Sequence, residues 1–300
     1  MLKIGVLNNM PEAAIRSTER QFAELLTEAA LELPIQIRWF SFTPRRGYAL
    51  VDDLWCLDHL DGLIATGTEP REARLEDEPY WGVFAKTVDW AARHTTSTVW
   101  SCLAAHAAVL HLDQVERQPF ATKLHGVFDV DRQQHHPLLI RNDPSWQVPH
   151  SRWNDLPLYS LQAAGYQILM QGAEAGADIF VKTCGLSMFW FNQGHMEYDA
   201  RTLMREYRRD ILRYHNGERS DYPALPAHYF DVLAASRLLA IAERAVGYRN
   251  PDISMVDFQG VIGKANLIAP WRATAVQLYR NWLLILSGAQ QAKTQRQAAL

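Results

Sequence analysis

The sequence predicts an α/β protein in which a mostly parallel sheet is flanked by helices. Apolar segments of strand length alternate with longer segments of helical periodicity through the first hundred residues. That cadence is typical of a parallel sheet with helices on both faces. Turn-forming residues follow several strand segments, and ligands of such sheets collect beyond the carboxyl ends of the strands. We therefore expect a site at that edge of the sheet.

The first half of the chain supplies the parallel strands. Leu2 to Leu7 is an apolar run that predicts a buried first strand, and Asn8 to Pro11 breaks it. The helix that follows has its apolar residues at helical spacing, at Phe22, Leu25, Leu26 and Ala29. The next predicted elements are strands at Ile35–Phe42 and Gly62–Gly67, a helix at Pro79–His94, and a strand ending at Cys102. The residues after three of these strands, Asn8–Pro11, Thr66–Arg71 and Cys102, are expected to meet at one edge.

The second half predicts short strands followed by helices. Strands are expected at Gly126–Val130, Tyr166–Met170, Ile179–Lys182 and Leu186–Phe191, some of them antiparallel. Helices are expected at Asp199–Tyr214, Phe230–Gly247 and Trp271–Ser287, with a long loop over Pro251–Pro270. The predicted organisation is a single domain over residues 1–287, with an inserted segment at about 230–270 and a flexible tail over 288–300.

Composition narrows the class of protein. A chain of 300 residues with 48% hydrophobic content can bury a large core. A net charge of −3 gives no reason to expect nucleic acid or a membrane as a partner. The three cysteines have no metal-like spacing, and neither a signal peptide nor a run of roughly 18 apolar residues is evident. We expect a cytoplasmic protein with reduced thiols.

Cys102 lies where a buried strand is predicted to turn sharply into a helix. The segment before it, Ser97 to Ser101, is β-prone, and the run after it is rich in Ala and Leu. Such a turn leaves the backbone N–H of Leu103 without a partner at a helix start. The positive end of the helix dipole there favours a reactive thiolate. The sequence alone does not separate this nucleophile from a small buried core thiol.

A candidate base follows a later strand. Gly194 ends the Leu186–Phe191 strand segment, and His195 and Glu197 come next with one residue between them. Alternate residues of an extended segment face the same way, so both side chains can point at one site. The imidazole would take the thiol proton and the carboxylate would fix its tautomer. As a bare pattern His-x-Glu is common, and chance is the alternative.

These motifs together resemble a known family. Cys102 in its turn and Gly194-His-Met-Glu-Tyr-Asp199 are similar to the class I glutamine amidotransferase-like fold, a flavodoxin-like three-layer arrangement. More specifically, the chain resembles the homoserine O-succinyltransferase/O-acetyltransferase family of methionine biosynthesis. Further matches occur in order at Leu7-Asn-Asn-Met-Pro11, Asp61-Gly-Leu-Ile-Ala-Thr-Gly67, Tyr80-Trp81, Thr95-Thr-Ser-Thr98, Lys123-Leu-His-Gly-Val127, Pro149-His-Ser-Arg152, Arg209-Asp210, Trp271-Arg272 and Asn281-Trp-Leu283.

The resemblance implies a ping-pong acyl transfer. Cys102 would take an acyl group from succinyl-CoA or acetyl-CoA as a thioester, with His195 as base and Glu197 orienting it, and the hydroxyl of L-homoserine would then attack. Backbone N–H groups at Leu103 and Thr68, in the Thr66–Thr68 turn, would hold the oxyanion. The family also implies a homodimer and no metal or bound cofactor.

The resemblance implies three substrate-binding residues. Arg209 matches the arginine that grips the amino-acid carboxylate, and its planar fork suits that role. Helical phase alone would put Arg209 on a solvated face. Lys123 and Ser151 match residues that line the active site, and their alternatives are a surface lysine and a turn serine.

The chain also departs from the family. Glu12 to Ala14 replace lysines usual after Met-Pro, His106 replaces a usual glutamine, and about 30 to 40 residues are inserted before the last helix. The acceptor could therefore have drifted from homoserine. Two further alternatives are glutamine amide hydrolysis, which the absence of Gly-x-Cys-x-Gly disfavours, and a non-catalytic protein, which the intact Cys102, His195 and Glu197 disfavour.

Arg71 occupies the position that separates acyl donors in the resembled family. Glycine there leaves room for succinyl, and glutamate favours acetyl. Arginine could block the pocket by volume, pair with the distal carboxylate of succinyl, or be a solvated loop residue beside Glu69 and Glu72. We favour succinyl-CoA, because a cation is an odd choice for excluding an anion.

Overall fold

The computed structural model describes residues 1–57, 59–247 and 251–298. The strands are β1 (Leu2–Leu7), β2 (Ile35–Ser41), β3 (Ala49–Leu50), β4 (Leu60–Ala65), β5 (Thr95–Ser101), β6 (Gln118–Arg132), β7 (Ser145–Asp155), β8 (Gln167–Gly172), β9 (Gly176–Cys184) and β10 (Ser187–Asn192). The helices are α1 (Glu12–Ala30), α2 (Val51–Trp55), α3 (Trp81–His94), α4 (Leu103–Asp113), α5 (Leu158–Ala163), α6 (Thr202–His215), α7 (Val232–Gly247), α8 (Pro251–Ile262) and α9 (Arg272–Ala298), with 3-10 turns at Leu75–Asp77 and Pro137–Leu139.

In the described part of the chain, ten strands form one mixed sheet in the order β3-β2-β1-β4-β5-β10-β9-β8-β6-β7. Neighbours from β3 to β10 are parallel, and neighbours from β10 to β7 are antiparallel. Helices cover both faces, which confirms the predicted fold class. No helix among the described residues has the length and apolar character needed to cross a membrane.

The register of the parallel strands brings the site residues to one edge. Leu7 pairs with Ala65, Ala65 with Trp100, and Trp100 with Phe191, so four strands end in the same row. The Asn9 N–H donates to Thr66 Oγ1 at 2.9 Å across this edge. The segments after β1, β4, β5 and β10 therefore converge, as predicted.

Two apolar layers hold the sheet. Helices α1 and α9 pack on one face, and α2, α3, α4 and α5 on the other. The four predicted core residues of α1 are all buried. Helix α9 lies directly on the central strands, where the Trp282 indole N–H donates to Ser97 Oγ at 3.0 Å. A Cβ on Gly62 of β4 would come within 2.6 Å of the Trp282 ring, so only glycine allows this close approach.

The structure differs from the sequence expectations in three segments. The loop predicted over Pro251–Pro270 was wrong for its first part, since Pro251–Ile262 forms α8, with Phe258 and Val261 buried one turn apart. Helix α9 continues to Ala298 instead of ending at Ser287, because the Ala- and Gln-rich run has high helix propensity without an apolar period. The long strand β7 was missed, because Pro149 interrupts its pattern. The sheet tolerates Pro149 because β7 is an edge strand.

Candidate active site

Cys102 occupies a strained turn between β5 and α4. Its backbone has φ 53° and ψ −116°, in the left-handed region that side chains other than glycine rarely adopt. The Cys102 N–H donates to the Asn192 carbonyl at 2.7 Å, which ties the turn to the end of β10. The half-buried side chain lines a cavity of about 740 Å³. This is the exposed position that a nucleophile requires.

His195 and Glu197 face the same cavity from the segment after β10. The His195 N–H donates to the Pro149 carbonyl at 2.8 Å, and its Nδ1 lies 2.8 Å from Glu197 Oε1. A carboxylate only accepts, so Nδ1 is the donor and Nε2 is left for another partner. Burial alone would lower the pKa of His195, but the charge and hydrogen bonding of Cys102 and Glu197 raise it well above its usual value. The three predicted residues therefore form one interacting group.

Tyr198 is a site residue that the sequence did not reveal. Its ring stacks on the His195 imidazole with centroids 4.2 Å apart and planes 16° apart. Its hydroxyl donates to Glu206 Oε1 at 2.7 Å, and its carbonyl accepts from the Trp271 indole N–H at 2.9 Å. The imidazole is thus held from the face as well as from Nδ1.

The backbone beside Cys102 has the form of an oxyanion site. Helix α4 begins at Leu103, so its first N–H groups have no partner inside the helix. A Cβ on Gly67 would lie 2.8 Å from the Leu103 nitrogen, so the turn after β4 packs directly against this helix start. Thr68 in that turn lines the cavity. These positions agree with the proposed oxyanion role of Leu103 and Thr68, which stays a prediction.

Lys123 and Ser151 both line the cavity. Lys123 Nζ donates to Asp210 Oδ2 at 3.0 Å and its side chain is 12% exposed, so it is not a surface lysine. Ser151 follows on β7, where its side chain hydrogen-bonds Glu206. The β6–β7 hairpin thus brings both residues to the site.

Arg209 has one side on solvent and one on the cavity. Its side chain is 44% exposed, while its Nε and Nη2 donate to Asp210 Oδ1 at 3.1 and 3.0 Å. It also lines the cavity, and its role in binding the amino-acid carboxylate stays a prediction. Arg71 is exposed, with its backbone N–H donating to Glu78 Oε1 at 2.6 Å. Among the described residues, the cavity wall includes Glu69 and Pro70 but not Arg71.

Glu206 of α6 is a second residue that sequence reasoning missed. Burial would raise the pKa of its carboxyl, but hydrogen bonds from His125 and Ser151 and the charge of Lys123 hold that pKa well below its usual range. The carboxylate faces the cavity and stays ionised. Helical phase gave no signal for it, because Glu206 looks like a solvated residue until the β6–β7 hairpin covers it.

The mixed sheet flanked by helices, with a thiol at a strand-to-helix turn and an imidazole and a carboxylate after the neighbouring strand, places the chain in the class I glutamine amidotransferase-like fold. Two solved structures support the fold. A glutamine amido transferase from Methylobacillus flagellatus has a TM-score of 0.51 at 13% identity, covering 95% of this chain and 94% of that one. The structure titled SMU.1228c has a TM-score of 0.51 at 14% identity, covering 95% and 100%.

Sequence comparison identifies the family. A family model described as homoserine O-succinyltransferase matches residues 1–292. A homoserine O-succinyltransferase of Methylorubrum extorquens is 45% identical over 296 residues, covering 95% of this chain and 87% of that protein. Another, of Rhodopseudomonas palustris, is 43% identical and covers 96% and 89%. The chain belongs to the homoserine O-succinyltransferase family and is an acyltransferase.

Proposed function

We propose that this enzyme transfers the succinyl group of succinyl-CoA to the hydroxyl of L-homoserine through a thioester on Cys102. The observation that carries the proposal is the interacting group of Cys102, His195 and Glu197 on the wall of one cavity. The names of the relatives at 43–45% identity support the choice of donor and acceptor.

The first half-reaction acylates the thiol. His195 takes the thiol proton of Cys102 as the sulfur attacks the succinyl carbonyl, and the resulting oxyanion accepts from the N–H groups of Leu103 and Thr68. Collapse of this intermediate breaks the bond to the CoA sulfur. The leaving thiolate takes a proton from the His195 imidazolium and departs as CoA. Cys102 then carries the succinyl group as a thioester.

The second half-reaction releases the product. The neutral imidazole of His195 takes the proton of the homoserine hydroxyl, whose oxygen attacks the thioester carbonyl. The second tetrahedral intermediate uses the same N–H donors and expels the Cys102 thiolate. Glu197 accepts from Nδ1 throughout and favours the imidazolium that forms in each step. The imidazolium returns its proton to the Cys102 sulfur, which completes the cycle.

Two opposite charges on the cavity wall suit the amino acid. The Arg209 guanidinium can pair with the homoserine carboxylate, and its present bonds to Asp210 fix its fork. The Glu206 carboxylate, held ionised on the same helix one turn earlier, can accept from the homoserine ammonium. Both sites together would select a zwitterion.

Three further expectations accompany this proposal. The reaction needs no metal or bound cofactor, because the acyl-CoA is itself a substrate. A cytoplasmic location is proposed on the thiol content alone. The homodimer is proposed from family resemblance alone, because the buried face of α9 packs on the chain's own sheet.

The test is mass spectrometry of the protein mixed with succinyl-CoA. We expect a succinyl mass on a peptide containing Cys102, which disappears when L-homoserine is added. Cys56→Ser, which removes an exposed thiol, is the matched control and should acylate normally. Absence of the adduct in wild type, or homoserine acylation without it, would contradict the proposal. A faster reaction with acetyl-CoA would assign the other donor.

A further inference from the structure

Arg117 is a half-buried cation in the cavity wall, and it makes no salt bridge within the described part of the chain. It follows α4, and its guanidinium lines the same cavity as Cys102. Its Nη2 donates to the Ala73 carbonyl at 3.1 Å, while its buried Nη1 has no hydrogen-bond partner among the described residues. Burial lowers the pKa of Arg117, although it stays far above neutrality. The nearby charges of Glu78 and Glu76 favour the charged guanidinium, yet its buried Nη1 has no partner in the described part of the chain and can donate to a bound anion.

His106 is a second unsatisfied group on that wall. It lies four residues after Cys102 on α4, and side chains at this spacing share a helix face. The residue is 3% exposed, and neither ring nitrogen has a hydrogen-bond partner among the described residues. Burial, and then the charges of Arg152 and Arg117, lower the pKa of His106 to about 3. The ring is neutral, so it carries one N–H that can donate to an anion.

The polar side chains around His106 already have hydrogen-bond partners of their own. Arg152 is saturated, because it donates to Asp155 Oδ1 at 2.8 Å and to backbone carbonyls, so its charge is already compensated. The Gln193 amide raises the pKa of His106, but its oxygen already accepts from the Leu156 N–H at 3.2 Å and its nitrogen donates to Asp155 Oδ1 at 3.1 Å and to the Ala177 carbonyl. Close to His106, in the described part of the chain, the Arg117 guanidinium and the His106 ring therefore remain available to bind an anion.

We propose that Arg117 and His106 bind the distal carboxylate of the succinyl group while its other end is held at Cys102. The inference rests on the proposed function. Two methylene groups separate the two ends of succinyl, so its carboxylate must lie close to the reacting carbonyl. Arg117 would supply the charge and His106 a neutral N–H. Selection of succinyl over acetyl would then come from these residues, and the exposed Arg71 would contribute little.

A phosphate of CoA is the other anion in the reaction. The bulky, strongly hydrated phosphates suit the open side of the cavity, whereas Arg117 Nη1 and the His106 ring are enclosed. A carboxylate carried by a slender acyl chain fits an enclosed site better. The two sources differ in one measurable respect, because succinyl-CoA and acetyl-CoA share every phosphate and differ only in the acyl group.

The experiment measures CoA release in the first half-reaction with each donor. We expect Arg117→Gln to lower kcat/KM for succinyl-CoA about 10- to 100-fold and to change that for acetyl-CoA less than about threefold. Arg117→Lys should recover part of the loss. His106→Leu should lower the succinyl-CoA value about 3- to 10-fold, since it removes a neutral donor. Arg71→Gln is the matched control and should leave the donor ratio unchanged.

A binding measurement gives an independent readout. Succinate should slow alkylation of Cys102 by iodoacetamide in wild type and in Arg71→Gln, but not in Arg117→Gln. The thermal unfolding midpoint of each variant shows whether the fold is kept. An Arg117→Gln variant that is folded and keeps the wild-type donor ratio overturns the inference, as does an equal loss with both donors, which assigns Arg117 to a CoA phosphate. Wild type that forms no thioester on Cys102 with either donor defeats the proposed function itself.

Discussion

The ring of Tyr198 lies flat on the His195 imidazole, with centroids 4.2 Å apart, while its hydroxyl donates to Glu206 at 2.7 Å. One side chain thus joins the proposed base to the proposed ammonium site. Burial, followed by the charges of Glu206 and Glu197, raises the pKa of Tyr198 well above its usual value, so the phenol keeps its proton and remains a donor. A movement of Glu206 would therefore shift the Tyr198 ring and, through it, the position of the His195 imidazole.

Two substitutions at Tyr198 should separate the role of its ring, which stacks on His195, from the role of its hydroxyl, which donates to Glu206. Tyr198→Phe keeps the stacked ring and removes the donor to Glu206, so we expect the KM for homoserine to rise about 3- to 10-fold with acylation of Cys102 unchanged. Tyr198→Leu also removes the stack and should lower the acylation rate. Steady-state kinetics and single-turnover CoA release measure the two. Equal effects of both variants on acylation would contradict the division.

Cys102→Ser should abolish acyl transfer with little loss of folding. The substitution nearly conserves volume, but a hydroxyl ionises far less readily than a thiol. We expect the rate of homoserine acylation to fall at least about 10³-fold, with an unchanged far-UV spectrum. Cys184→Ser is the control, because it makes the same substitution at a buried thiol away from the cavity and should leave the rate unchanged. Activity within a few fold of wild type would remove Cys102 from the mechanism.

Substitution of the base should cost more than substitution of its orienting group. His195→Asn should lower kcat about 10²- to 10⁴-fold, the usual contribution of a general base. Glu197→Gln should lower it less, about 10-fold or more, because the imidazole remains and only its orientation and charge support are lost. Stopped-flow measurement of CoA release tests both. Near-normal rates in the two variants would disprove the triad.

Arg209→Lys should raise the KM for homoserine about 10-fold and leave acylation of Cys102 by the donor intact. A lysine cannot reproduce the two-pronged contact of a guanidinium with a carboxylate. Arg208→Lys, at the exposed neighbouring position of α6, is the matched control. An unchanged KM in Arg209→Lys would return this residue to a purely solvated role.

Gly67→Ala tests the oxyanion site. The new Cβ would lie 2.8 Å from the Leu103 nitrogen, so the turn after β4 must move away from the helix start. Loss of one well-placed donor should lower kcat about 10²-fold in both half-reactions. Gly82→Ala, where nothing lies within 4 Å of the added Cβ, is the control. A normal kcat in Gly67→Ala would place the oxyanion elsewhere.

Local sequence patterns predicted the elements that position the thiol. The buried strand before Cys102 and the strand before His195 are short apolar runs with clear ends, and the parallel register carries their ends to one row. Both patterns are local, which is why they could be found in the sequence. The fold class followed from the same alternation.

Long-range contacts account for what the sequence did not reveal. Glu206 and Tyr198 become site residues because α6 packs on the antiparallel β6–β7 hairpin, and no local period records that contact. Arg117 and His106 look like a surface residue and a core residue in the sequence. Only the structure shows that they share a cavity and that, within the described residues, Arg117 Nη1 and the His106 ring nitrogens have no hydrogen-bond partner.

The backbone of Cys102, at φ 53° and ψ −116°, lowers the stability of the fold at the position where the proposed reaction needs a thiol. Such a conformation costs about 1–3 kcal/mol for a residue with a side chain, a cost that glycine largely avoids. Selection for heat resistance alone would therefore favour glycine at position 102. The resulting protein would be more stable but would lack the proposed nucleophile.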